Sequence, residues 1–322
     1  MACILVTGGA GFIGAAVANK LTSQGHKVKL LDLVVNKNNP ADSYVGSILD
    51  PYFVSTVMRG CDYVIHLAAA LGVNWTEARR LECLYINIQG MVNILESCVK
   101  ENIKKIIFTS SSEIYGNQNN VPINEDAPVN PISNYAITKL VGEEYLRAYS
   151  ESYPLKYSIV RLFNVYGEHQ SNKFVMTKFL NSVCDDKQPV VYGDGKQVRS
   201  FCYVSDAAKG IITTLFSQDS AGEIFNIGND AEPISIKGLT EKIVHLSGKK
   251  HISPEFVPME NSDRTKEREV YKRIPSIEKA KKVLKYQPEV GLDEGVKRLI
   301  KHWNNRCNTT HISRGFGDRD KQ

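Results

Sequence analysis

Cys3-Ile4-Leu5-Val6-Thr7-Gly8-Gly9-Ala10-Gly11-Phe12-Ile13-Gly14 is the stretch from which the rest of the chain can be read. An unbroken apolar run of this kind suits a strand buried on both faces of a parallel sheet. The small residues after it make a tight turn, and Val17, Ala18 and Leu21 at helical spacing predict a helix over Ala15 to Leu21, closed by Gln24-Gly25. A second strand, Val28 to Leu31, ends on Asp32.

This order of strand, glycine turn, helix and strand is the context in which a G-x-x-G-x-x-G run binds a dinucleotide. Small residues let backbone approach a pyrophosphate whose charge rests at the helix N-terminus, and an acid ending the second strand can take the adenosine ribose hydroxyls. With Asp32 in place, that reading is favoured over a merely structural tight turn. A carboxylate there would repel a 2′-phosphate and no Arg follows it, so NAD is expected rather than NADP.

Outward from this unit the composition is that of an ordinary globular protein: 322 residues, 42% hydrophobic and 23% charged, long enough for two domains. A net charge of +5, from 40 basic and 35 acidic residues spread evenly, argues against nucleic-acid or membrane partners and suits a small anionic substrate. Seven cysteines show no C-x-x-C pair and are mostly flanked by apolar residues, which predicts reduced core thiols and a cytoplasmic protein. No apolar stretch approaches the roughly 18 residues of a membrane span. No metal site is predicted.

Further strands are expected at Tyr44-Val45-Gly46, Tyr63 to Leu67, Lys105 to Phe108, Ser158 to Leu162 and Ile224 to Gly228. Ala68-Ala69-Ala70 leave room for a ligand at the carboxyl end of their strand, the edge where open parallel sheets bind ligands. His66, inside that strand, reads as a satisfied core histidine. Leu84, Ile88, Val92 and Leu95 predict a long helix covering one sheet face with those residues. After Gly167 the pattern is less regular, with helices expected over Phe174 to Val183, from a Ser205 cap to Phe216, over Lys237 to Leu246 and Ser276 to Leu284, and from Asp293 to Trp303.

Tyr135 and Lys139 stand four apart and share a helix face, where an ammonium favours the phenolate and lowers a pKa that is ordinarily about 10. Such a pair is common by chance, as a half-buried Tyr beside a solvated Lys. Here it lies between the Ser-rich strand end Thr109 to Ser112 and the segment Arg161-Leu162-Phe163-Asn164, and that setting points to a catalytic base.

With these motifs, and with Ser110-Ser111-Ser112-Glu113-Ile114-Tyr115-Gly116 and Gly193-Asp194-Gly195-Lys196-Gln197-Val198-Arg199-Ser200-Phe201, the chain resembles the extended short-chain dehydrogenase/reductase family. Within it the likeness is to the NAD-dependent nucleotide-sugar epimerases, dehydratases and decarboxylases. The resemblance implies that Tyr135 takes the proton of the sugar C4 hydroxyl, that Ser111 hydrogen-bonds the same oxygen, and that Lys139 holds the nicotinamide ribose. It places NAD against Gly8, Gly11, Phe12, Ile13, Gly14 and Asp32, against Ser47 and Ile48, and against Leu67, Ala68 and Ala69, besides Tyr135 and Lys139. Asn164 and Arg199 would bind the diphosphate of a nucleotide-diphosphate sugar. Without its flanking motif, Arg199 would read as a surface arginine.

Ser112 and Glu113 are where the branches of this family part. A carboxylate at Glu113 could remove a C5 proton once C4 is a ketone, with Ser112 beside it as a weak acid, or Glu113 could be structural. Arg273, in Lys272 to Ser276, is similar to a substrate-contacting arginine of the decarboxylases. Departures from the usual pattern are Glu168 in place of Pro, Ser200 in place of Asp and Ser47 in place of an adenine-contacting Asp. Homodimers of this family pair through two long helices, here those of Met91 and Tyr145.

The expected architecture is α/β: a doubly wound, mostly parallel Rossmann sheet from residues 1–167 and 203–230, and a smaller α/β substrate-binding lobe from 168–202 and 231–305, with a loose tail over 306–322. Three activities stay open: transient C4 oxidation ending in epimerisation, dehydration or decarboxylation; net 4-dehydrogenation; and NAD sensing without catalysis, against which the intact Ser111, Tyr135 and Lys139 argue.

Overall fold

The computed structural model describes residues 1–36, 41–261 and 269–315. Seven parallel strands form its main sheet: β1 (Cys3–Thr7), β2 (Lys27–Asp32), β3 (Asp42–Val45), β4 (Tyr63–His66), β5 (Lys105–Ser111), β6 (Lys156–Leu162) and the strand Ile224–Ile227. Their spatial order is Ile224–Ile227, β6, β5, β4, β1, β2, β3. The chain steps outward from β1 to β3 and then returns to lay β4 on the other side of β1. This reversal between β1 and β4 is the switch point at whose carboxyl edge ligands bind in such sheets.

The helices are α1 (Phe12–Ser23), α2 (Pro51–Met58), α3 (Val73–Ala78), α4 (Arg80–Lys100), α5 (Asn134–Ser152), α6 (Val175–Cys184), α7 (Val204–Phe216), α8 (Ile236–Leu246), α9 (Glu278–Leu284) and α10 (Leu292–Gly315). Strand side chains alternate between faces. Ile4 and Val6 pack with Val17 and Leu21 of α1, Ile211 of α7 and Ala280 of α9. Leu5, between them, packs with Val54 of α2, Ile94 of α4 and Leu146 of α5. The sheet is therefore covered on both sides, which is why its strands read as continuous apolar runs. A third core joins α6, α8 and α10 through Phe179, Leu239, Ile243 and Val296. Beside it, Val198–Arg199 lies between the two-residue strands Ile234–Ser235 and Lys272–Arg273.

Several expectations change. On α4 the residues turned inward are Cys83, Asn87, Met91, Ile94 and Cys98 together with Leu95, whereas Leu84, Ile88 and Val92 stay half-buried. Gly90 explains the rotation, because a Cβ there would stand 2.3 Å from Cδ1 of Ile48: the helix turns its small residue to the close contact. Met91 is thus a core residue. Ser205 does not cap α7; Tyr203 is the N-cap, with no side-chain hydrogen bond. The backbone of α10 stays helical through Gly315, where a loose tail was expected from Arg306; the end of that tail, residues 316–322, lies outside the described residues. The described cysteines, Cys3, Cys61, Cys83, Cys98, Cys184 and Cys202, are free thiols. No helix among the described residues is long and apolar enough to cross a membrane.

Candidate active site

The glycine turn between β1 and α1 is packed to bare backbone. Gly8 has φ +70, and a Cβ on it would lie 2.8 Å from the backbone nitrogen of Ala68, while one on Gly14 would lie 2.0 Å from the Gly8 carbonyl oxygen. Gly11 is the N-cap of α1, which has neither a side-chain cap nor an acid in its first turn, so the helix start is left for an external anion. Phe12 and Ile13 pack their side chains into the cores on either side, and what they offer a ligand is chiefly backbone N–H. Asp32 turns its carboxylate to this turn: Oδ2 accepts from the Ala10 N–H at 3.0 Å and Oδ1 from the Leu33 N–H at 2.7 Å. A bare anion cradle beside a carboxylate at the next strand end fits a dinucleotide.

Neighbouring residues complete that edge. His66 Nδ1 meets the Thr7 hydroxyl at 2.7 Å, and burial drives its pKa down to about 3, so it is a neutral core histidine as expected. Leu67, Ala68 and Ala69 follow it, half-buried, at the switch point. At Ser47 and Ile48 the Ser47 hydroxyl accepts from the Leu49 N–H at 3.1 Å, and the Ile48 carbonyl accepts from the buried Asn93 amide at 2.9 Å. Asn87, which a helical pattern gives no reason to single out, bridges the two halves of this edge. Its amide accepts from the Ala70 N–H at 2.7 Å and donates to the Thr138 hydroxyl at 3.0 Å.

β5 runs three residues past Phe108 and delivers Ser111, whose hydroxyl accepts from the Glu113 N–H at 3.2 Å and hydrogen-bonds Tyr135. Ser112 is buried in the short 3-10 turn that follows. Lys139 is buried one turn beyond Tyr135, donating to the Thr109 carbonyl at 2.8 Å and standing 5.6 Å over the Tyr135 ring centre. Burial lowers its pKa to about 8, with Glu143 acting against the fall. The expectation for Tyr135 is corrected: burial, then Glu113 and Cys83, push its phenol up, and the Ser111 hydrogen bond only opposes this. The Lys139 ammonium lies against a backbone carbonyl and the ring face in this state.

Glu113 links the two parts of the site. Its Oε2 accepts from the Ser133 hydroxyl at 3.1 Å, the same hydroxyl that caps α5 at the Ala136 N–H, and its Oε1 stands 3.7 Å from Nη1 of Arg273. Arg273 pairs in register with Arg199 on the adjoining strand. Arg199 is no surface arginine: it is buried, bonded to the Val198 and Tyr271 carbonyls and, at 3.2 Å, to the buried Glu269. Asn164, at φ +33, donates to the Ser200 carbonyl at 3.0 Å. Glu168 accepts from the Tyr203 hydroxyl, and Ser200 is buried.

The family model for the NAD-dependent epimerase/dehydratase family matches residues 4–228. The chain belongs to that family. A Methanocaldococcus jannaschii protein provisionally named UDP-glucose 4-epimerase is 37% identical to this epimerase/dehydratase-family chain over 95% of it and 100% of the relative. The UDP-N-acetyl-α-D-glucosaminuronate decarboxylase of Bacillus cytotoxicus is 34% identical over 92% of this chain and 96% of its own. Among solved structures, the UDP-glucose 4-epimerase of Thermotoga maritima with UDP-glucose superposes with a TM-score of 0.88 at 31% identity, covering 95% of this chain and 99% of that one. NAD is the cofactor of the family, and the glycine turn with Asp32 fits it.

Proposed function

We propose that this enzyme oxidises C4 of the sugar of a nucleotide-diphosphate sugar to a ketone and returns the hydride to the same sugar, to C4 in an epimerisation or decarboxylation and to C6, as water leaves, in a dehydration. The observation that carries this is the set of Ser111, Tyr135 and Lys139 at the carboxyl edge of the sheet beside the buried Arg199 and Arg273. Bound NAD supplies the hydride acceptor. Tyr135 takes the proton of the C4 hydroxyl, and Ser111 hydrogen-bonds the same oxygen. Its phenol starts too high for a base near neutrality, so Tyr135 needs a cation near its oxygen, and Lys139 is the nearest on its own helix. Arg199 and Asn164 take the diphosphate, for which a planar guanidinium fork is suited.

Epimerisation is the first outcome of this reading. Chemistry beyond C4 is a second one, favoured by Glu113, whose carboxylate is oriented by Ser133 and Arg273 and lies close enough to Tyr135 to raise its pKa. With the relatives divided between an epimerase name and a uronate decarboxylase, a panel of UDP-, GDP-, CDP- and dTDP-sugars followed by NMR and mass spectrometry tests the reading. Turnover at C4 supports it; accumulation of NADH with release of a keto-sugar would move it to net 4-dehydrogenation. In deuterated water, label at C5 that vanishes in Glu113→Gln selects the branch beyond C4.

The same reading takes residues 1–167 and 203–230 as the NAD-holding part and 168–202 and 231–305 as the nucleotide-sugar lobe, supported by a third core built mainly from α6, α8 and α10, which meets the NAD-holding part at Tyr166, Tyr203 and Val204. A cytoplasmic location is supported by the free thiols. A homodimer through α4 and α5 is supported by a second apolar stripe on α4, where Leu81 and Tyr85 are exposed and Ile88 and Val92 half-buried. Sedimentation of a monomer would remove the dimer from it.

A further inference from the structure

On its inner side α5 carries Tyr135, Lys139 and Glu143, each one helical turn after the last. The first two serve the reaction proposed above. Glu143 is wholly buried, and its carboxylate takes both prongs of Arg161, Oε1 from Nε at 3.0 Å and Oε2 from Nη2 at 2.7 Å. Arg161 is fixed in turn: Nη1 donates to the Tyr115 hydroxyl at 2.8 Å and to the Glu125 carbonyl at 3.1 Å, and the Tyr115 ring lies 4.9 Å from its guanidinium centre. Arg147, from the next turn of α5, reaches Glu143 at 3.6 Å.

A buried ion pair is weak evidence of stabilisation, because an apolar pair of similar volume often does as well. The place of this one is what matters. Lys139 faces Tyr135 and Glu143 from its own helix, Cys83 from α4, His66 from β4, and the Thr109 carbonyl and Phe108 ring from β5. His66 is neutral above pH of about 3. Of these groups only Glu143 is a carboxylate. Burial lowers the pKa of a lysine so enclosed, and Glu143 is the largest influence in the opposite direction.

We propose that Glu143, fixed by Arg161, is a positioning residue that holds Lys139 in its ammonium form. The proposal rests on the assignment of Lys139 to the reaction. A cation beside Tyr135 is needed for proton removal, so activity should fall as pH rises through the Lys139 pKa, and Glu143 sets how far toward alkaline pH the cation survives.

The test is a 13C-ε NMR titration of lysine-labelled, NAD-loaded protein, with the Lys139 signal assigned by Lys139→Met. Glu143→Gln is expected to move the Lys139 midpoint down by about one pH unit or more, with Glu143→Asp between it and the parent. The alkaline limb of kcat should move with it. Because Gln leaves the Arg161 cation buried without its partner, which would itself lower the Lys139 midpoint, the double variant Glu143→Gln/Arg161→Met is measured too, and a smaller shift in the same downward direction is expected. An unchanged Lys139 midpoint in a folded variant, with kcat reduced at every pH alike, would overturn the proposal and leave Glu143 structural. A lowered midpoint in a protein that turns over no sugar supports the electrostatic assignment and sinks the catalytic reading instead.

Discussion

From Thr7 to Gly14 and from Thr109 to Glu113 the site is made of consecutive residues at the ends of two parallel strands, β1 and β5, that flank β4, whereas Arg199 and Glu269, 70 residues apart, meet beside strands only two residues long. The cofactor edge is positioned by backbone: Gly8 hydrogen-bonds Leu31, Leu67 hydrogen-bonds Thr7, and a single added carbon has nowhere to go. The arginine wall is positioned by charge, with Arg199 held by Glu269 and Arg273 near Glu113. The first kind of site can tolerate almost no added volume. The second depends on its charged partners.

The largest effect should come from the edge. Tyr135→Phe is expected to lower kcat by about 10²- to 10⁴-fold, the usual worth of a general acid–base group, with NAD affinity and melting temperature unchanged. Activity within a few-fold of the parent would remove Tyr135 as the base. At the wall, Arg199→Ala is expected to raise KM for the nucleotide sugar by about 10- to 100-fold, in keeping with the roughly 1.5–3 kcal/mol of a charge-assisted hydrogen bond, while NAD binds as before. Equal loss of NAD affinity would erase the distinction between the two regions.

Smaller effects sharpen it. Gly14→Ala puts a carbon 2.0 Å from the Gly8 carbonyl oxygen, and an overpacked turn of this kind is expected to lose about 1–3 kcal/mol, read as weakened NAD binding and a lower urea midpoint. His66 supplies a pH term at the same edge. Its pKa is about 3 when folded against an ordinary 6.5, so between those values the unfolded chain binds the extra proton. The stability is fully present above pH 6.5 and is lost as pH falls toward 3, by at most about 1.4 kcal/mol per pH unit. His66→Gln should flatten the fall in urea midpoint between neutral and mildly acidic pH. The same slope in both proteins would mean that His66 is protonated in the fold.

The contrast also explains what could be read from the sequence. Strands buried on both faces leave continuous apolar runs, the glycine turn carries its own steric signature, and Tyr135 with Lys139 shows as a spacing, so the sheet and its ligand edge were legible. The inward face of α4 was not, because it depends on how closely Gly90 must approach Ile48. Asn87 was missed because one polar residue in an amphipathic helix carries no mark of the Ala70 backbone it satisfies. Arg199 read as a surface residue apart from its motif, since the carboxylate that makes its burial tolerable is Glu269, far along the chain. The direction of the Tyr135 pKa was misjudged because spacing reports the neighbouring charge and not the surrounding protein.

The central claim is that C4 is oxidised at Tyr135 and that its hydride returns to the same sugar. NAD-loaded protein given UDP-glucose and UDP-glucuronate carrying deuterium at C4 tests it most directly. Slower single turnover of the labelled sugar, with the deuterium kept in the product, on C4 or, after dehydration, on C6, is the predicted result. Turnover at the same rate as the unlabelled sugar, or a product from which the deuterium has been lost, would contradict it.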